Sequence, residues 1–110
     1  MKTLNLITDL SSLTLTEEDK GKSSQELVTT IVKNVILTWG MEKRGLNEED
    51  RRKFYKISDA FELALKEKKE FVDLEDDWIG FLRKVFREAN LMPNNLLRKV
   101  EELINEIKDR

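Results

Sequence analysis

The tripeptide Gly21-Lys22-Ser23 has the residue types that phosphate chemistry uses. In a P-loop, glycines let backbone N–H groups surround phosphates while the lysine binds their terminal oxygens. That motif needs a glycine five residues before Gly21, where this chain has Thr16, and the acids at 17–19 would repel a phosphate. We therefore interpret Gly21 as a linker glycine and Ser23 as a helix cap.

Four acidic residues that could offer oxygen ligands to a cation lie close together at Asp73, Glu75, Asp76 and Asp77. A calcium-binding EF-hand loop that began with the first of them would need glycine and glutamate where the chain has Trp78 and Lys84. Acids in the first turn of a helix also compensate the positive end of its macrodipole, and we adopt this interpretation. The sequence predicts no metal site and no cofactor.

Histidine and cysteine are both absent from the 110 residues, which removes the side chains most used as bases, nucleophiles and transition-metal ligands. A serine nucleophile would then need lysine as its base, and no serine and lysine can be paired by their spacing. The carboxylates fall mostly on the polar faces of predicted helices, so none is marked as a general acid or base. We therefore predict that the protein is not an enzyme.

Charge is distributed unevenly, although 20 Lys and Arg against 22 Asp and Glu leave a net charge of only −2. Residues 41–56 include six bases and four acids, whereas residues 57–82 include eight acids and three bases. The basic stretch offers five candidate contacts to a partner: Lys43, Arg44, Arg51, Arg52 and Lys53. Such polarity can dock a chain on an identical subunit, or present cations to nucleic acid or an acidic protein. A solvated helix face of mixed charge is the simpler explanation.

Nucleic-acid binding through residues 43–56 is therefore an alternative function. The last two predicted helices also invite a helix-turn-helix interpretation that would offer four residues to base edges: Asn94, Asn95, Arg98 and Lys99. Three glutamates at 101, 102 and 106 on the same helix would oppose phosphates, and the turn lacks glycine. The near-neutral chain also lacks the positive field expected of a DNA-binding protein, so this alternative is not favoured.

An extended N-terminal segment and four helices must position these residues. Leucines alternate with polar residues at 4 and 6 and again at 13 and 15, which predicts a short β-hairpin turning near residues 9–12. An isolated hairpin is marginal in water, so it must lie on the helices or pair with the strand edge of a partner. The chain is thus one predicted domain, with an N-terminal segment and linker at 1–22 and a helical body at 23–110.

Ser23 and Glu26 form a capping box that opens a first helix, which we expect to run to Trp39 and to end at Gly40. Its apolar residues cover about half of the circumference, wider than the usual apolar stripe. This width indicates a helix that is central or at an oligomer interface. Because β-branched residues are frequent here, a strand over 27–37 is the alternative.

Asn47 and the three acids after it are typical of a helix start, and the second helix is expected to run to about Lys68. Its inner face carries regularly spaced apolar residues, with Tyr55 and Leu63 off to the sides. The aromatic residues at helical spacing are expected in the core rather than as base-stacking platforms.

Asp73 is expected to cap a third helix that ends at Asn90, after a brief extended piece at 71–72. Pro93 fits the first turn of a fourth helix, whose apolar residues keep helical spacing over 96–107. The last two helices then form an antiparallel hairpin. The predicted fold class is mainly α, a four-helix bundle-like domain with a short N-terminal β-hairpin or extended segment.

No stretch approaches the ~20 consecutive apolar residues of a membrane span, and the N-terminus lacks the pattern of a secretory leader. The absence of cysteine agrees with a reducing compartment. We expect a cytoplasmic protein with no membrane contact.

Residues 60–86, AFELALKEKKEFVDLEDDWIGFLRKVF, resemble a pattern in small uncharacterised proteins of tailed bacteriophages and prophages. Those proteins are about a hundred residues long. They also open with a strand-like segment similar to residues 1–7 here, and carry an early apolar helix like 27–37. The resemblance implies a phage or prophage origin and a helical body with an N-terminal β element. It implies no activity and no functional residues.

Together these features predict a non-enzymatic interaction protein, derived from a phage or prophage, that works through protein–protein contacts. Self-association is one form of such contact. The alternative is a small nucleic-acid-binding regulator that uses the basic residues at 43–56.

Overall fold

The computed structural model describes residues 2–7, 21–93 and 95–107. Within these ranges the chain is mainly helical, with a two-stranded sheet, as the sequence predicted. The elements follow in the order β1 (Lys2–Asn5), α1 (Ser24–Glu42), α2 (Glu48–Lys66), β2 (Phe71–Leu74), α3 (Asp76–Glu88) and α4 (Asn95–Asn105). The predicted hairpin turn at 9–12 and the leucines at 13 and 15 lie outside the described residues.

Strand β1 pairs with β2 in an antiparallel ladder that aligns Leu4 with Val72. The extended piece expected at 71–72 is thus a strand, and it is the described partner of β1. Leu6 continues the ladder, because its N–H donates to the carbonyl oxygen of Glu70 at 2.8 Å. Every second residue faces the helices, so Leu4 and Leu74 are buried against them.

Helix α1 lies at the centre of the fold. The hydroxyl oxygen of Ser23 accepts from the Glu26 N–H at 3.2 Å, so the predicted helix start is confirmed. Residues 27–37 are helical throughout, so the alternative of a strand over these residues is wrong. The helix contacts α2, α3 and α4, and eight of its residues are buried by the rest of the chain. Its wide apolar face therefore belongs to the core of this chain.

Helix α1 continues past Gly40 to Glu42, so the helix end predicted at Gly40 is wrong. Gly40 packs closely against Leu46, since a Cβ at position 40 would lie 2.7 Å from Leu46 Cδ2 and would displace that side chain. The chain turns instead at Arg44 and Gly45, which adopt positive φ angles of 63° and 116°. The Gly45 N–H then donates to the carbonyl oxygen of Gly40 at 2.7 Å and closes the helix.

Helix α2 begins as predicted, with the Asn47 side-chain oxygen accepting from the Asp50 N–H at 2.8 Å. The cap predicted for α3 is wrong, because Asp73 is paired within β2. Because Asp73 belongs to the strand, the helix start lies two residues later, with Glu75 at the N-cap position and no side-chain capping bond. Its C-cap is Ala89, one residue before the predicted end.

Helices α3 and α4 are antiparallel, as predicted, and Arg83 joins them. Its Nη2 donates to the carbonyl oxygens of Ile104 and Ile107 near the end of α4, each at 3.4 Å. Arg87, one turn later on α3, lies near the earlier Glu101 of α4. Pro93 precedes the first residue of α4 rather than lying in its first turn.

Aromatic side chains fill much of the core, as expected, except that Phe71 on β2 is 41% exposed. Trp39 is 1% exposed and meets Phe81 edge to face, with ring centroids 5.6 Å apart. Phe61 is fully buried on the inner face of α2. Within the described ranges, no helix has the combination of length and apolarity needed to cross a bilayer.

Candidate interaction surface

The five cations singled out from the sequence do not form one surface. Lys43 lies beside the buried aromatic pair, with its Nζ 4.1 Å from the Trp39 ring centroid. Lys53 lies on the same side, with its Nζ 5.7 Å from the Phe81 ring centroid. Each also has an acidic neighbour, because Lys43 Nζ is 3.6 Å from Glu88 Oε1 and Lys53 Nζ is 3.4 Å from a glutamate one turn earlier.

Glu88 joins the ends of α1 and α3. Its Oε1 accepts a hydrogen bond from Trp39 Nε1 at 3.3 Å, which gives the buried indole N–H its partner. This bond lowers the pKa of the Glu88 carboxyl below its ordinary value, and the charges of Lys43 and Lys84 add to the lowering, while burial opposes it. A second bond joins the same ends, since Glu42 Oε1 accepts from the Asn90 N–H at 2.8 Å. These contacts hold the ends of α1 and α3 together. Lys43 and Lys53, which lie on this side, therefore have structural roles.

Arg52 is also paired, since its Nη2 lies 2.5 Å from Glu48 Oε1. Both side chains are well exposed, and such an i, i+4 pair contributes only about 0.3–0.5 kcal/mol to stability. Three of the five predicted cations therefore have a carboxylate neighbour within their own chain.

Arg44 and Arg51 differ from the other three. Within the described part of the chain, neither guanidinium makes an ion pair or a hydrogen bond. Both line an open groove of about 770 Å³ at the junction of α1 and α2. We call it the α1–α2 groove, and its remaining lining residues are Leu37, Gly40, Met41, Gly45, Leu46, Phe54 and Tyr55.

The local structure explains how this groove forms. Leu37 and Met41 are four residues apart, so they lie on one side of the last turns of α1. Arg51 and Tyr55 have the same spacing on α2. The tight turn between the helices brings these two pairs together, and Leu46 packs on Gly40 beneath them. The groove therefore depends on the turn at 43–47 and on the absence of a side chain at position 40.

The apolar side chains of the groove are unusually accessible. Leu37 is 44% exposed, Met41 78% and Tyr55 59%. Single exposed apolar residues are common on protein surfaces, whereas several that converge on one concave site are typical of interaction surfaces. The position of Tyr55 off the inner face of α2 was the one feature of the sequence that pointed to this surface. Nothing in the sequence singled out Leu37 or Met41.

The exposed face of α2 extends the surface beyond the groove. Arg51, Tyr55, Asp59 and Leu63 follow one another at intervals of four residues, and all four are exposed. We call these four residues the outer stripe. Leu63 is 51% exposed, and the Asp59 carboxylate has no ion pair with any described residue. The stripe thus carries an unpaired cation at one end and an unpaired anion nearer the other, with an apolar side chain beside each.

The other sequence candidates have structural roles. Asp73 Oδ1 accepts from the Thr3 hydroxyl at 3.0 Å across the sheet, and Asp76 and Asp77 occupy the first turn of α3. Across residues 2–7, 21–93 and 95–107, no group of three carboxylates is placed to hold a metal ion. Gly21 has a φ of 87° and leads into the Ser23 cap, as a linker glycine does.

No protein-family model, curated protein or solved structure matches this chain. Function therefore has to be inferred from the α1–α2 groove and the outer stripe. Together they can bind a surface that offers an apolar side chain to the groove and a carboxylate to Arg44 and Arg51, because a guanidinium binds a carboxylate through two parallel hydrogen bonds.

Proposed function

We propose that this is a non-enzymatic interaction protein whose contact surface is the α1–α2 groove with the outer stripe. The observation that supports it is the convergence of three exposed apolar side chains, Leu37, Met41 and Tyr55, with two arginines that form no ion pair with any described residue. Tyr and Arg are enriched among the residues that dominate binding energy at protein interfaces. Covering the apolar side chains would contribute about 25 cal/mol for each Å² removed from water.

The proposal includes a cytoplasmic location and a phage or prophage origin. These two parts rest on sequence patterns: the absence of cysteine, and the resemblance carried by residues 60–86. The choice of contact surface is independent of both.

Photo-crosslinking tests the proposed surface directly. A photoreactive amino acid is placed at Tyr55 or Met41, and for comparison at Thr30, an exposed residue of α1. Thr30 is ten residues before Gly40, roughly 15 Å along the helix, so it should not reach a partner in the groove. After irradiation in the cells that encode the chain, we expect discrete adducts from positions 41 and 55 and none from position 30. Equal adduct yields from all three positions would refute the contact surface.

The alternative is a nucleic-acid-binding regulator, favoured by the unpaired guanidinium groups of Arg44 and Arg51. Against it, Lys43, Arg52 and Lys53 each have a carboxylate nearby, which reduces the local positive field. Fluorescence anisotropy with duplex and single-stranded probes at low ionic strength separates the two functions. Salt-dependent binding that the double variant R44E/R51E abolishes would support the regulator, whereas absence of binding would exclude it.

A further inference from the structure

We infer that the partner of this surface is a second copy of the chain, bound through an antiparallel contact between the two α2 helices. This inference rests on the proposed function and names its partner. A two-fold contact uses the same patch on both subunits, so the patch must be complementary to itself. The outer stripe meets this condition, since it carries both an unpaired cation, Arg51, and an unpaired anion, Asp59.

The spacing of the outer stripe determines which residues would meet. If the two-fold axis passes midway between Tyr55 and Asp59, Tyr55 lies opposite Asp59 of the second copy, and Arg51 lies opposite Leu63 of the second copy. Arg51 is one helical turn, about 5.4 Å, from the level of that Asp59, within reach of a long side chain. The Tyr55 hydroxyl and the Arg51 guanidinium can then both donate to this carboxylate. Symmetry repeats each contact.

The same register gives the α1–α2 groove an occupant. Arg51 lies on the wall of the groove, so Leu63 of the second copy is placed at its opening. There the leucine can pack against Leu37, Met41 and Phe54. Leu63 is 51% exposed in the single chain and would be covered, together with the apolar lining of the groove. One register thus covers the exposed apolar groups of the groove and the stripe while pairing both unpaired charges.

The charge distribution favours the antiparallel direction. Within α2, residues 48–56 have four bases against three acids, and residues 57–66 have two acids against one base. The boundary between them falls within α2, close to the inferred two-fold axis. Antiparallel helices therefore place the basic half of one copy against the acidic half of the other, whereas parallel helices would place like charges together.

Charge reversal tests both the partner and the register. Sedimentation equilibrium of the unmodified chain should give twice 13.0 kDa in a concentration-dependent manner. Arg51→Asp and Asp59→Arg should each raise the dimer dissociation constant by about tenfold or more, because each places two like charges within reach of one another across the contact. The double variant R51D/D59R should restore dimerisation, since both partners are exchanged together. Arg98→Asp is the matched control and should leave the dissociation constant unchanged, because Arg98 is an exposed arginine on α4 that pairs with Glu102.

The outcomes separate this inference from the proposed function. All exchanged residues are exposed, and unchanged thermal unfolding would show that each variant still folds. A chain that stays monomeric at millimolar concentration, but crosslinks from Tyr55 to a different protein, would overturn the self-contact and keep the proposed function. A monomer without specific crosslinks would overturn both. A dimer that R51D/D59R fails to restore would overturn the α2 register.

Discussion

Helices α1 and α2 are neighbours of equal length, 19 residues each, yet they distribute their apolar residues differently. Helix α1 buries eight residues and is contacted by three other helices. Helix α2 buries three, Ile57, Phe61 and Ala64, along one narrow face. The apolar content of α1 is largely explained by the core, whereas Tyr55 and Leu63 on α2 are not. The difference indicates that the core forms around α1, and it leaves the exposed apolar residues of α2 as the basis of the proposed contact.

The structure decides between two expectations from the sequence for the first helix. The wide apolar face of the first helix pointed to a central position or to an oligomer interface. Most of that face is covered within the chain, so it leaves no broad apolar surface for a second subunit. The exposed apolar residues at the end of α1, Leu37 and Met41, join the α2 surface instead. Exposure after folding, rather than apolar width in the sequence, identifies the candidate contact.

The most severe test of the central role of α1 is Trp39→Ala. We expect it to lower the free energy of unfolding by about 3–5 kcal/mol, because it removes a fully buried aromatic side chain. It also removes the edge-to-face contact with Phe81 and the hydrogen bond to Glu88. Urea denaturation monitored by circular dichroism measures the change. A loss below about 1 kcal/mol would contradict the assignment of α1 as the centre of the core.

A smaller effect is expected at the junction of the two helices. Gly40→Ala must displace Leu46, since the new Cβ would lie 2.7 Å from its Cδ2. Gly80→Ala in α3 is the control, because its Cβ would meet nothing within 4 Å and alanine favours a helix. We expect Gly40→Ala to be less stable than Gly80→Ala by about 1 kcal/mol or more, from overpacking. If the two substitutions change the free energy of unfolding equally, Leu46 moves aside without a loss of stability.

The contact between Glu88 and Trp39 should make the end of α1 sensitive to acid. The folded protein lowers the pKa of Glu88, so its stabilising contribution is present above the ordinary value of 4.5 and is lost as pH falls through the folded pKa. Glu88→Gln keeps an oxygen for the indole N–H but does not titrate. We expect the stability advantage of the unmodified chain over this variant to shrink between neutral pH and values below 4.5. Denaturation curves of both proteins across that pH range measure this difference. A difference in the free energy of unfolding that does not change with pH would contradict a stabilising role of the Glu88 carboxylate.

The smallest effect is expected on the outer stripe. Leu63→Ala should change the free energy of unfolding of the monomer by less than about 0.5 kcal/mol, because the side chain is half exposed. The measurement belongs at low protein concentration, so that association does not contribute. A loss comparable to that of Trp39→Ala would mean that α2 is as central as α1, and the contrast between the helices would disappear.

Local signals were reliable in the sequence, and signals that depend on distant residues were not. The caps at Ser23 and Asn47 follow from residues three positions apart, and both are present. Gly40 resembled a helix end, but its contact with Leu46 is formed only after the chain has turned. Asp73 resembled a helix cap, but it lies in β2, which pairs with β1 about seventy positions earlier in the chain.

The candidate surface could be predicted only in part for the same reason. Sequence reasoning grouped five cations because they are close along the chain. Folding places Arg44 and Arg51 in the groove, while Lys43 and Lys53 lie beside the Trp39–Phe81 pair. Which side of a helix becomes buried depends on the direction in which α1 and α2 cross, and composition does not encode that direction. The apolar lining escaped prediction because exposure is a property of the folded chain.

The pairing of β1 with β2 also affects the order of events during synthesis. The partners of residues 2–5, at 71–74, leave the ribosome about seventy residues after them. At translation rates of about 5–20 residues per second, the first strand waits roughly 4–14 s for its partner. Leu4 and Leu6, both buried in the finished fold, are exposed to solvent or to chaperones during that time. Residues 2–5 are thus made well before they can reach their native contacts on β2.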